Sequence, residues 1–92
     1  METTKKITEE MFNQPNAGEV ILNMVKQGAQ LDEKALQKVF ALPKDVNYDK
    51  IAGGIVLEHV KQGHKLSGAS QLKVYDFSTK RSKEIIREML KN

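Results

Sequence analysis

Gly18-Glu19-Val20-Ile21-Leu22-Asn23-Met24-Val25-Lys26-Gln27-Gly28-Ala29-Gln30-Leu31 returns 35 residues later as Gly53-Gly54-Ile55-Val56-Leu57-Glu58-His59-Val60-Lys61-Gln62-Gly63-His64-Lys65-Leu66. Half of the positions are identical. Each copy has apolar residues at helical spacing, then a glycine, then a leucine three places on. Glycine takes the left-handed conformation that ends a helix, and the leucine can fold back over the helix end. Glu84-Ile85-Ile86-Arg87-Glu88-Met89-Leu90-Lys91-Asn92 echoes the unit more faintly. An offset of 35 lies within the range of helical repeats, whose units bury their faces on one another.

The rest of the chain reads outward from these units. Asn16, with Glu19 three residues later, has the pattern of a capping box for a helix over 16–28. Asp32 caps a second helix over 32–41 that buries Ala35, Leu36, Val39 and Phe40, and Pro43 stops it. Asn47 caps a third over 47–62, with Val46 and Ile51 placed for a hydrophobic staple. Its inner face holds Ile51, Ile55, Val56, His59 and Val60. Gly53 and Gly54 inside this helix cost up to about 1 kcal/mol each relative to Ala. Either another helix approaches closely there, or the helix starts later. Ser78 or Thr79 caps a last helix over 78–92 with Ile85, Ile86, Met89 and Leu90 on one stripe.

Two segments read differently. Thr8 can cap a short helix through Asn13, with Met11 and Phe12 docking on the main body. Segment 64–77 changes character. Ser67-Gly68-Ala69-Ser70 reads as a turn, and Leu72, Lys73 and Val74 alternate apolar and polar. That alternation predicts a short strand, with His64–Leu66 as its partner in a small β-hairpin. The expected architecture is mainly α, a small bundle of four to five helices with that hairpin near 64–77, winged-helix-like or helical-repeat-like. Residues 1–15 form an N-terminal segment, and 16–92 form a single helical domain. Its core is expected to hold Val20, Ile21, Met24, Leu36, Val39, Phe40, Ile55, Val56, Val60, Ile85, Ile86 and Leu90.

Val25-Lys26-Gln27-Gly28-Ala29 resembles the end of the outer helix in ankyrin repeats, as does Lys83-Glu84-Ile85-Ile86-Arg87-Glu88-Met89-Leu90. The resemblance covers about a third of the chain. The Thr-Pro-Leu-His turn of that family is absent, so the likeness is to a helix-turn unit.

Composition narrows the chemistry. The 92 residues include no Cys and no Trp, so disulfides, thiolate metal sites and cysteine nucleophiles are excluded. Met1 to Glu10 is polar and charged, unlike a signal peptide, and no apolar run reaches the length of a membrane span. These features point to a cytoplasmic protein. The net charge of +3 permits nucleic-acid binding without requiring it. His59 and His64 lack acids at metal-ligand spacing. Gly53-Gly54 lacks the Lys-Ser/Thr of a P-loop, and Ser67, Ser70, Ser78 and Ser82 have no triad context. No cofactor and no enzymatic activity are expected.

Two binding functions remain. The first reading is a protein-interaction adaptor, inhibitor or regulator, with Tyr48, Leu57, Phe12 and Tyr75 as the large side chains to weigh between surface and core. The alternative is a winged helix-turn-helix that binds DNA, with the third helix in the major groove. Lys50 would then meet bases or phosphates, and Lys65 and Lys73 on the wing would meet the backbone. Lys80, Arg81 and Lys83 add a basic run. The candidate partner-binding residues are therefore Tyr48, Lys50, Lys65, Lys73, Tyr75, Lys80, Arg81 and Lys83.

Overall fold

The computed structural model describes residues 6–91. A strand β1 (Lys6–Ile7) leads into a 3-10 turn over Glu9–Asn13, then helix α1 (Ala17–Lys26) and strand β2 (Gln30–Leu31). Helices α2 (Glu33–Phe40), α3 (Tyr48–Lys61) and α4 (Gly68–Lys73) follow. A second 3-10 turn, Val74–Asp76, continues α4, and α5 (Thr79–Lys91) ends the described chain. The domain is mainly helical, as expected.

Both glycine stops form. Gly28 and Gly63 have φ of 102° and 93°. At the end of α1, Gly28 N–H donates to Val25 O and Ala29 N–H to Met24 O, the paired bonds of a Schellman motif. Leu31 and Leu66, the folded-back leucines, are both buried.

The echoed helices α1, α3 and α5 lie in one parallel layer with α3 at its centre. The contacts fix the direction. Gly18, at the start of α1, faces Ile51 in the first turn of α3. Further along, Leu22 lies against Gly54, and at the far end the Gln62 side-chain amide donates to Val25 O. On the other side, Asp49 of α3 binds Ser78 at the start of α5, and Arg81 lies on Gly53. Gly53 and Gly54 are therefore inside α3 because two neighbours approach there. Covered on both sides, α3 buries Tyr48, Ala52, Gly53, Ile55, Val56, Leu57, His59 and Val60, most of its circumference.

α2 and α4 form the backing. Asp32 caps α2, its Oδ1 accepting from Ala35 N–H at 2.8 Å. Phe40, Tyr48 and Phe77 cluster where α2, α3 and the α4–α5 junction meet, with ring centroids 5.1 and 5.9 Å apart. A polar seam joins α2 to α4. Gln37 Nε2 donates to Glu33 Oε2 (2.9 Å) and Ser70 Oγ (3.0 Å), and Lys73 Nζ donates to Gln37 Oε1 (2.7 Å). The N-terminal segment packs on α2 and α1. β1 pairs in parallel with β2, Ile7 opposite Leu31, and Met11 and Phe12 dock half-buried on the core.

The hairpin expected at 64–77 is not formed. Ser67 Oγ accepts from Ser70 N–H and starts α4 instead. The buried residues are Leu66, Ser70, Val74 and Phe77, a spacing of three to four, while Leu72 is 73% exposed. The short alternation around Lys73 was a chance overlap of period two with a helical pattern. Among the described residues the sheet is the β1–β2 pair. With no wing, and with α3 enclosed in the layer, the winged-helix arrangement is absent.

Smaller expectations are corrected too. Thr8 precedes a 3-10 turn and makes no side-chain cap. Asn16 is left-handed (φ 57°) and Asn47 is helical, so neither has the extended backbone of a capping residue, and neither side chain caps its helix. Val46 is 93% exposed, so no staple forms with Ile51. Val20 (39% exposed) and Leu90 (82%) lie outside the core, and Met24 and Ile86 are half-buried. α1 and α5 are the edges of the layer, so their buried stripes are narrower than that of α3.

Candidate functional site

Three surface features carry chemistry. The first is a cleft of about 400 Å³ where the parallel starts of α1 and α3 meet. Phe12, Leu42, Ile51 and Ala52 give it an apolar lining, while Glu19 and Asp45 add carboxylates. Asp45 Oδ1 accepts from Asn47 N–H at 2.8 Å and shapes the entry into α3. The lining holds no histidine, serine, threonine or lysine.

The second is the outer side of α5. Arg81 rests on Gly53 of α3, and Ile85, four residues on, is fully buried. The opposite side is exposed. At 100° per residue, Lys83, Arg87 and Lys80 fall within a stripe about 60° wide, with Leu90 beside Lys83 and Ile86 next to it. Lys80, Lys83 and Arg87 are exposed and make no salt bridge among the described residues. Glu84, four residues after Lys80, pairs with Arg81 at 3.0 Å, and Glu88 pairs with Lys91 at 3.3 Å.

The third is a pair on α4 and its 3-10 extension. Leu72 and Tyr75 stand three residues apart, 73% and 68% exposed. Three residues is one helical turn, so they share a face.

The residues singled out from the sequence divide into surface and scaffold. Lys50, Lys65, Tyr75, Lys80 and Lys83 are exposed, but only Lys80 and Lys83 share a helix face. Tyr48 is buried. Its hydroxyl donates to Phe40 O at 3.0 Å, and burial, with the Asp76 carboxylate adding, raises its pKa to about 12. Lys73 is half-buried in the α2–α4 seam, its Nζ 5.8 Å from the Phe40 ring centre. Arg81 is packed between α5 and α3, and its Nε is buried without a hydrogen bond. These three hold the fold together. Phe12 is half-buried and Leu57 is core. Sequence reasoning missed Arg87, Leu72 and Leu90 as surface residues. Arg87 was detectable, since it lies four residues after Lys83 on one helix.

His59 and His64 stack at the end of α3, ring centroids 4.8 Å apart. His59 is buried and its Nδ1 has no hydrogen-bond partner. Burial, with His64 beside it, lowers its pKa from 6.5 to about 4, against a weaker pull from Glu33. The ring is therefore neutral at pH 7. Among the described residues no three His, Cys, Asp or Glu side chains are grouped to hold a metal ion. No helix of the described residues is long and apolar enough to cross a membrane. Comparison with protein-family models, with curated proteins and with solved structures returns no match for this chain.

Proposed function

We propose that this chain is a small non-catalytic protein-interaction module, an adaptor or regulator whose partner docks at the open edge of the helical layer. One observation carries the reading. α3 has a parallel neighbour on each side, whereas α5 has one and leaves Leu90 82% exposed beside half-buried Ile86. Large apolar side chains grouped on the outside of a packed domain are characteristic of contact surfaces. Leu72 and Tyr75 give a second place where a partner can rest. The DNA reading draws no comparable support. It needs α3 free to enter a groove, and α3 is the centre of the layer.

Photo-crosslinking tests this. A crosslinking residue at position 90 should capture a protein from host lysate, and excess unlabelled chain should compete for it. The same residue at Val46, which is exposed but isolated, should capture nothing that competes. Recovery of nucleic acid alone, or of no competable protein at position 90, would overturn the reading.

A further inference from the structure

The outer face of α5 brings apolar and basic groups together on one helix. Leu90 and Ile86 make an apolar strip, and Lys80, Lys83 and Arg87 run beside it and make no salt bridge among the described residues, the nearby Glu84 being paired with Arg81. Unpaired like charges along one helix repel one another, so the face is stabilised when an anionic surface covers it. We infer that this face, made by Lys80, Lys83, Arg87 and Leu90, binds an acidic amphipathic helix of a partner protein, which takes the place of the next helix in the layer. This rests on the protein-interaction reading and adds the chemistry of the partner.

Three features favour that occupant. The layer already packs helices side by side, starting at Ala17, Tyr48 and Thr79, so its open edge has the shape of a helix-docking surface. A partner helix with apolar residues at every third or fourth position would cover Leu90 and Ile86, and carboxylates flanking that stripe would meet Lys83 and Arg87. A second copy of this chain is a poorer match. The exposed side of its other edge helix, α1, offers Glu19, Val20, Asn23, Lys26 and Gln27, with one acid offset by one cation. A lipid surface is disfavoured because α5 carries no aromatic residue to sit among headgroups. A phosphate backbone would leave Leu90 uncovered.

The test uses the full chain and a fluorescent synthetic peptide of about 20 residues, with Leu at helical spacing and Glu on its flanks. Anisotropy should show saturable binding that weakens as salt rises. Binding should fall at least about tenfold in the Lys83→Glu/Arg87→Glu variant, because reversal turns attraction into repulsion. Leu90→Ala should weaken binding with little change in the salt dependence. All these positions are exposed, and circular dichroism checks that each variant folds. A peptide with Lys in place of Glu should not bind. Absence of peptide binding, or equal binding by the charge-reversed variant, would overturn the inference. Tighter binding to a DNA duplex, or to phosphatidylserine-containing vesicles, would assign the face to those ligands instead. The two proposals separate in the crosslinking assay. If position 90 captures a competable protein and the charge-reversed chain captures it equally well, the interaction module stands and the acidic partner does not.

Discussion

The carboxylate of Asp49 binds Ser78 twice, through the backbone N–H at 2.7 Å and the hydroxyl at 3.0 Å. Ser78 Oγ in turn accepts from Arg81 N–H at 3.1 Å and caps α5. One acid in the first turn of α3 thus fixes where α5 begins. Asp49→Ala should cost about 1 kcal/mol, since the bonds are charge-assisted but exposed. Chemical denaturation checks it, and α5 should lose amide-exchange protection before α1.

Close approach at Gly18 gives a second prediction. A Cβ there would sit 2.8 Å from Ile51 Cγ2, and the β-branched isoleucine has little freedom to move. Gly18→Ala should destabilise by about 1–2 kcal/mol despite the better helix propensity of Ala. Gly68, in the first turn of α4, meets nothing within 4 Å. Gly68→Ala should stabilise by about 0.5 kcal/mol. Opposite shifts of the melting temperature would confirm the pair, and two stabilising substitutions would refute the α1–α3 contact.

Acid sensitivity follows from His59. Its folded pKa of about 4 lies below the ordinary 6.5. Between these values the unfolded chain holds a proton that the folded chain lacks. Stability contributed by the neutral ring is complete above pH 6.5 and declines as pH falls toward 4. His59→Met, which places there the residue found at the matching position Met24, should flatten this decline. Urea midpoints at pH 7.5 and pH 5 measure it. An unchanged pH dependence would mean that His59 is protonated in the folded state.

The helical course of 66–77 is testable by charge insertion. In a strand, Leu72 and Val74 would share a face. In the structure Val74 is fully buried and Leu72 is exposed. Leu72→Asp should change stability by no more than about 0.5 kcal/mol, whereas Val74→Asp should unfold the domain by burying an unpaired charge. Similar effects at both sites would restore the strand.

Part of the local punctuation of this fold was written in the chain, although Thr8, Asn16 and Asn47 do not cap their helices. Gly28 and Gly63 had to end helices because they relieve a left-handed strain that other residues resist. Asp32 had to begin one, since its side chain can satisfy a backbone donor. The echo between 18–31 and 53–66 likewise anticipated two helices that end alike, each at a left-handed glycine with a buried leucine three places on. Assembly decided the rest. That α3 stands in the centre, with Tyr48 and Arg81 absorbed into packing, depends on neighbours that no local pattern names. Lys80, Lys83 and Arg87 lie exposed together because Arg81 and Ile85 turn the other side of α5 inward. A helix carries its apolar and charged stripes in its sequence, but which stripe stays open is set by how many helices lie beside it.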